Sequence, residues 1–90
     1  MEAYANRSNV AALIPAYREE NFIRDVAKRA MAQLDHVLVV NDGSPDATAE
    51  RAKESGAEVI THEVNRGKGA AIKTGLKALT ERGFKYIQIL

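Results

Sequence analysis

Residues 36–45 read HVLVVNDGSP and decide how this 90-residue chain folds. The apolar, β-branched run after His36 is typical of a buried strand, and the polar residues that follow it favour a turn. Ser44 as N-cap and Pro45 at the first helical position predict that a helix begins directly afterwards. The stretch therefore predicts a strand that ends at Asn41 and passes through a short loop into a helix. The same pattern recurs on both sides of it.

On the N-terminal side, Val10–Ile14 is a short apolar run that Pro15 stops. A strand of a parallel sheet is covered on both faces and need not alternate, so this run also indicates a buried strand. Glu19–Leu34 has apolar residues at helical spacing and acidic residues near its start, which predicts an amphipathic helix. The first half of the chain thus gives a strand, a helix and a second strand.

The C-terminal side continues the alternation. The second helix is predicted over Pro45–Ser55, because Gly56 supplies the flexible residue with which helices commonly end. The remaining elements are a strand over Ala57–Thr61, a helix over Ala70–Arg82 and a strand over Phe84–Leu90.

Four strands alternating with three helices predict an α/β fold in the order β-α-β-α-β-α-β, with a parallel sheet and right-handed crossovers. Residues 1–90 are expected to form one truncated domain with a polar tail over residues 1–9. The apolar strand over Phe84–Leu90 is followed by no turn or cap, so we expect an exposed sheet edge there. Such an edge favours homo-oligomers that form through residues 84–90.

Composition removes several classes of function. The absence of cysteine excludes disulfide frameworks and thiol nucleophiles, and a net charge of +1 gives no basic excess for nucleic acid. The longest apolar run is too short to span a bilayer, and zero cysteines fit a reducing compartment, so we expect a cytoplasmic chain without a membrane segment. The charge is nevertheless uneven, since residues 63–85 carry six bases and two acids. This third of the chain favours an anionic ligand.

Three loops follow strands, over residues 15–20, 41–44 and 63–69. In open parallel sheets, ligands bind beyond the carboxyl ends of the strands. The three loops are therefore expected on one rim, where the chemistry-bearing residues of the chain are concentrated.

The third loop invites a phosphate interpretation. Gly67 and Gly69 expose backbone N–H groups ahead of a helix, and Lys68 adds a positive charge. It is not a Walker A loop, because Gly69 stands where that motif needs a serine or threonine. Ile72 replaces the third glycine of a dinucleotide fingerprint, so no nicotinamide or flavin cofactor is expected. On local sequence alone, a tight turn with a solvated lysine is slightly favoured over anion binding.

The other two loops carry an acid and an aromatic ring. Asp42 could accept hydrogen bonds from a nucleobase, although an Asx-turn is the locally favoured interpretation of Asn-Asp-Gly-Ser. Asp46 suits a helix start and is given no ligand role. Tyr17 and Pro15 form either a wall for a flat ring or a cap on the core, and local sequence leaves both open.

The remaining titratable residues give no catalytic pattern. Glu19 and Glu20 are adjacent on a helix and diverge, so they do not form an acid–base pair. His36 and His62 lie at strand ends without metal-ligand spacing and are expected at the surface or at a boundary. No serine lies in a nucleophile motif, and no metal site is predicted.

Three segments taken in order resemble the nucleotide-sugar domain of glycosyltransferase family 2, which has the GT-A fold. They are residues 13–20 (LIPAYREE), 39–46 (VVNDGSPD) and 65–71 (NRGKGAA). The resemblance covers about Val10–Leu90 and is greatest to the branch of dolichyl-phosphate mannose synthases and polyprenyl-phosphate glycosyltransferases. It implies the Rossmann-like N-terminal half of a GT-A domain.

The resemblance also implies roles for residues at matching positions. Its nucleotide-binding residues are Pro15, Ala16, Tyr17, Glu19, Asp42 and Lys68. Pro15 and Tyr17 line the nucleoside pocket, and Glu19 lies near the ribose. Asp42 reads the base edge, and Lys68 approaches the ribose or diphosphate. Arg18 departs from the pattern, because the family often has asparagine there.

The function implied is the donor-binding portion of an inverting glycosyltransferase of the hexosyltransferase type. Such an enzyme moves a sugar from a UDP- or GDP-type donor to an acceptor hydroxyl or lipid phosphate, and the parent protein could associate with the cytoplasmic face of a membrane. The family's Asp-x-Asp motif for Mg²⁺ or Mn²⁺ and its catalytic base would fall after Leu90, so this chain is expected to hold no metal, to carry no catalytic residue and to be inactive alone. The alternative is a non-catalytic α/β module that self-associates through its last strand.

Overall fold

The computed structural model describes residues 6–90 and contains four strands and three helices in strict alternation. The elements are β1 (Val10–Ala16), α1 (Ile23–Gln33), β2 (His36–Asn41), α2 (Thr48–Glu54), β3 (Glu58–Thr61), α3 (Lys68–Glu81) and β4 (Tyr86–Ile89). The strands form one sheet in the order β3-β2-β1-β4, and every pair is parallel. The predicted α/β fold with a parallel sheet is therefore confirmed.

The register brings the carboxyl ends of the two central strands level. Ala16 at the end of β1 pairs with Asn41 at the end of β2, and Asn41 pairs with Thr61 at the end of β3. The loops that follow these strands consequently leave the sheet side by side.

Each face of the sheet buries its own core, because successive side chains of a strand point to opposite sides. Ala12, Ile14 and Val39 face α1 and α2, whereas Leu13 and Val40 face α3. Both strands are buried on both faces, which explains why their sequences run apolar without alternation.

Helix α3 approaches the sheet closely at a glycine. A Cβ atom added to Gly75 would lie 2.1 Å from Cδ1 of Leu13, whose side chain is fully buried. The absence of a side chain at Gly75 lets α3 pack directly onto β1.

Two helices begin later than predicted. α1 starts at Ile23 rather than Glu19, because the Glu19 carbonyl accepts hydrogen bonds from the Phe22 and Ile23 N–H groups in a preceding turn. α2 starts at Thr48 rather than Pro45, and Ser44 is not its cap. The Ser44 hydroxyl instead accepts a hydrogen bond from the Arg18 N–H at 3.0 Å, which ties the first loop to the second.

Other bounds differ by a few residues. β1 continues through Pro15 to Ala16, beyond the last residue of β1 that pairs with β4, Leu13. Proline is tolerated there because its missing N–H faces the side where β4 offers no partner. α3 begins at Lys68, two residues before the predicted start, and ends at Glu81.

The predicted polar tail over residues 1–9 falls in part outside the described residues, which begin at Asn6. Residues 6–9 form a turn, not a loose tail, since the Asn6 carbonyl accepts from the N–H groups of Asn9 and Val10. Arg7 anchors this turn through an ion pair with Asp35 at 2.7 Å. Among residues 6–90, none of the helices combines the length and the apolar character that crossing a bilayer requires.

Candidate functional site

The loops after β1, β2 and β3 enclose a cleft of about 410 Å³ at the carboxyl edge of the sheet. Its lining consists of Pro15, Ala16, Tyr17, Glu19, Asp42, Asn65, Gly67, Lys68 and Ala71. All six residues to which the family resemblance gave a binding role lie in this lining. Sequence reasoning did not single out Asn65 and Ala71 individually, although both lie within the third motif.

Asp42 ties the second loop to the third. Its Oδ1 atom accepts hydrogen bonds from the Arg66 N–H at 2.9 Å and from Nδ1 of His62 at 2.8 Å. Its Oδ2 atom accepts from the Gly67 N–H at 2.8 Å. The residue is 3% exposed, so the carboxylate is a buried anion held by three donors that the chain itself supplies.

These donors decide the charge state of Asp42. Burial raises the pKa of its carboxyl, but the hydrogen bonds from His62, Arg66 and Gly67 outweigh that effect and hold the pKa below its ordinary value. The side chain is consequently an anion at neutral pH and acts only as a hydrogen-bond acceptor.

The Asp42 carboxylate does not form the Asx-turn that local sequence favoured, since its hydrogen bonds come from His62, Arg66 and Gly67. Oδ1 of Asn41 accepts a hydrogen bond from the Ser44 N–H at 3.3 Å. Gly43 completes the turn with φ +70°, and an added Cβ would lie 2.3 Å from the Val64 carbonyl carbon. Because Asn41 forms the turn, the Asp42 carboxylate remains available to the third loop.

His62 is buried, contrary to the surface or boundary position that its place at a strand end predicted. Its residue is 7% exposed, and Nδ1 contacts Asp42 while Nε2 lies 2.8 Å from Oγ1 of Thr74 on α3. Thr74 lies too far along the chain for local sequence to reveal this contact. His36, in contrast, is exposed at the start of β2 and packs edge-on against Phe84 at 4.8 Å.

A second hydrogen-bonded link supports the first loop. The Thr48 hydroxyl accepts from the Glu19 N–H at 2.9 Å and donates to Oδ1 of Asp46 at 2.5 Å. The Asp46 carboxylate also accepts from the Thr48 N–H at 3.0 Å, which satisfies a free donor at the start of α2. The Thr48 hydroxyl holds the pKa of Asp46 below its ordinary value, although burial acts in the opposite direction. These contacts fix where Glu19 enters the cleft.

Tyr17 lies at the surface of the cleft and does not cap the core, since 39% of it is exposed. Nε of Arg18 donates to the Tyr17 hydroxyl at 3.1 Å, and the guanidinium lies 5.5 Å from the centre of the tyrosine ring. Arg18 has φ +55°, a conformation that asparagine adopts more readily than other side chains.

The third loop contains the glycine turn and the exposed lysine that its local sequence favoured. Gly67 precedes α3 with φ +98°, so the turn does use glycine's conformational freedom. Lys68 is the first residue of α3 and is exposed within the cleft lining. The positive end of a 14-residue helix and a lysine ammonium group therefore meet at one end of the cleft.

The described residues do not fit a divalent metal ion. Residues 6–90 contain no group of three His, Asp or Glu side chains placed to hold one.

Comparison with known proteins gives consistent matches. The sequence matches the family described as Glycosyl transferase family 2 over residues 11–90. It is 38% identical over 73 residues to the uncharacterized protein MJ1222 of Methanocaldococcus jannaschii. This match covers 80% of this chain and 30% of that protein. It is 35% identical over 89 residues to the UDP-N-acetylglucosamine–dolichyl-phosphate N-acetylglucosaminyltransferase of Methanococcus voltae, covering 79% of this chain and 36% of that enzyme.

A solved structure has the same fold. The glucosyl-3-phosphoglycerate synthase of Mycobacterium tuberculosis, in complex with Mn²⁺, UDP and glucosyl-3-phosphoglycerate, superposes with a TM-score of 0.75 and 27% identity. The match covers 91% of this chain and 32% of that one. The chain thus spans about a third of the length of the proteins it resembles.

Proposed function

We propose, because this chain belongs to glycosyl transferase family 2, that its cleft binds the nucleotide part of a nucleotide-diphospho-sugar donor. The observation that carries the proposal is that residues from three separate loops, Tyr17, Asp42 and Lys68 among them, line one cleft of about 410 Å³. The parent protein is then an inverting hexosyltransferase that uses a UDP- or GDP-type donor.

The base and the ribose are assigned to the first two loops. Pro15 and Tyr17 offer an apolar and an aromatic surface, against which a flat base stacks. Asp42 is an acceptor-only group beside them, which suits the N–H edge of a nucleobase. Glu19, held in place through Thr48, is assigned to the ribose hydroxyl groups.

The diphosphate is assigned to the start of α3. Backbone N–H groups at a helix N-terminus favour anions, and Lys68 adds a charge at the same point. Residues 63–85 carry six bases and two acids, which gives this part of the chain a positive field.

The acceptor is assigned by similarity alone to a hydroxyl or a lipid phosphate, since one relative is named for dolichyl phosphate. We propose further that the 90 residues do not transfer sugar by themselves. A divalent cation that neutralises a leaving diphosphate needs a cluster of ligands, and residues 6–90 contain no group of three His, Asp or Glu side chains placed to hold one.

Titration of the ¹⁵N-labelled chain with UDP and with GDP tests the binding proposal. We expect shifts of amide resonances within residues 15–20, 41–44 and 65–71. Lys68→Ala should weaken diphosphate binding by about tenfold, because a charge-assisted contact is lost. Lys53→Ala on α2 is the matched control and should bind like the wild type, since Lys53 is exposed and does not line the cleft. Shifts confined to residues outside the three loops would contradict the proposal.

A further inference from the structure

The hydrogen bonds of Asp42 leave it with a limited capacity for a ligand. A carboxylate has about four lone-pair positions, two on each oxygen. Oδ1 already accepts from His62 and Arg66, whereas Oδ2 accepts from Gly67 alone. Within residues 6–90, the side chain therefore retains one acceptor position, on Oδ2, and Asp42 is one of the residues that line the cleft.

His62 occupies one of the two acceptor positions on Oδ1, and the Arg66 N–H occupies the other. A neutral imidazole donates through one nitrogen and accepts through the other. Because Nδ1 faces the Asp42 carboxylate, its hydrogen is directed to Oδ1, and Nε2 is left to accept from the Thr74 hydroxyl at 2.8 Å. The ring is held at both nitrogens and is buried, so its donor stays on Oδ1 of Asp42.

Nucleobases differ in how many donors they present to such a group. The pairing edge of uracil has one N–H, at N3, between two carbonyl oxygens. The pairing edge of guanine has two adjacent donors, N1–H and the N2 amino group, and matches a carboxylate that offers both oxygens. Cytosine has a lone pair at N3, which a carboxylate repels.

We propose that His62, by occupying Oδ1 of Asp42, makes the cleft select a uracil nucleotide over a guanine nucleotide. The inference rests on the proposed function, since it specifies the base that the same cleft binds. Uracil fills the single acceptor position with its N3–H. Guanine buries a second donor without a partner, which lowers its affinity.

Calorimetric titration of the 90-residue chain with UDP, GDP and CDP tests the preference. We expect UDP to bind at least tenfold more tightly than GDP or CDP. Equal affinity for UDP and GDP overturns this inference but leaves the proposed function intact. Absence of binding by every nucleotide overturns the proposed function and this inference with it.

Variants at His62 test the assignment of the preference to this residue. His62→Asn keeps an N–H donor near the position of Nδ1 and should retain the ratio of the two affinities. His62→Leu removes the donor and frees one acceptor position on Oδ1, so the ratio of UDP to GDP affinity should fall by at least threefold. Thr80→Val on the same helix is the matched control and should retain the ratio, because the Thr80 hydroxyl bonds to carbonyl oxygens of its own helix and not to His62.

The ratio separates a positioning role from a merely structural one. A loss of stability lowers both affinities together and leaves their ratio unchanged, and an unchanged ratio in His62→Leu overturns the role of His62. If His62→Leu fails to fold, the comparison of His62→Asn with the wild type still tests the role of His62. A loss of the preference for UDP in His62→Asn would contradict the assignment.

Discussion

Asp42 carries its charge in a nearly closed environment, and its protonation in acid weakens the contacts between the second and third loops. Its folded pKa lies below the ordinary value of 3.8, so the unfolded chain takes up a proton before the folded chain does. The carboxylate therefore stabilises the fold fully above that ordinary value, and the contribution is lost as the pH falls through the lower, folded pKa.

Asp42→Asn should show this contribution directly. The amide group cannot serve three donors as an acceptor, so we expect a lower free energy of unfolding at neutral pH. The difference between wild type and variant should shrink as the pH falls below about 4, because the wild-type carboxyl becomes protonated too. Urea unfolding at a series of pH values measures it. A difference that stays constant into acid would show that the charge of Asp42 is not what stabilises the loops.

At the scale of elements, the contact between α3 and β1 depends on the missing side chain of Gly75. Gly75→Ala places a methyl group against the buried Leu13, and the packing cost exceeds the gain in helix propensity. We expect the free energy of unfolding to fall by about 1–2 kcal/mol in chemical denaturation.

Gly69→Ala in the same helix is the matched control. Nothing lies within 4 Å of a Cβ added there, so only the helix propensity changes. We expect stability to rise by up to about 1 kcal/mol. A gain in both variants would mean that α3 can move away from the sheet without cost.

The order and type of the elements were predictable because each strand is an apolar run and each helix has its own periodicity. The place of the cleft followed as well, since carboxyl ends of parallel strands share an edge. Helix starts were not predictable, because the donors around Ser44 and Thr48 come from the first loop, far away in sequence.

The environment of Asp42 was also beyond local sequence. The neighbouring Asn41 has the same ability to bond to the backbone of this loop, and nothing nearby shows which of the two side chains does so. His62 contacts Thr74, which lies 12 residues further along the chain, beyond a loop and the first turns of α3. Resemblance to the family named the residues of the cleft, but it did not give their hydrogen bonds.

At the scale of the whole molecule, β4 lies at one side of the sheet and pairs with β1 alone among the described strands. Ile89 and Leu90 beside it are 45% and 49% exposed. We therefore keep self-association through residues 84–90 as a prediction, because an apolar edge strand pairs readily with a second copy.

Sedimentation at increasing protein concentration measures this association. We expect the mass of the wild type to rise with concentration and that of Ile89→Lys to stay at the monomer value. Thr61→Lys, on the strand at the opposite side of the sheet, is the control and should associate like the wild type. A wild-type chain that remains monomeric at every concentration contradicts the prediction.

Asp42 holds the third loop through hydrogen bonds from the main-chain N–H groups of Arg66 and Gly67, and their side chains take no part in these bonds. Every amino acid except proline brings such a group to position 66, so exchanges there can accumulate without loosening the loop. Position 42 does not tolerate such exchanges, because only a carboxylate on a side chain as short as aspartate reaches the N–H groups of both Arg66 and Gly67. Natural variants of this protein should therefore differ freely at 66 while the aspartate persists.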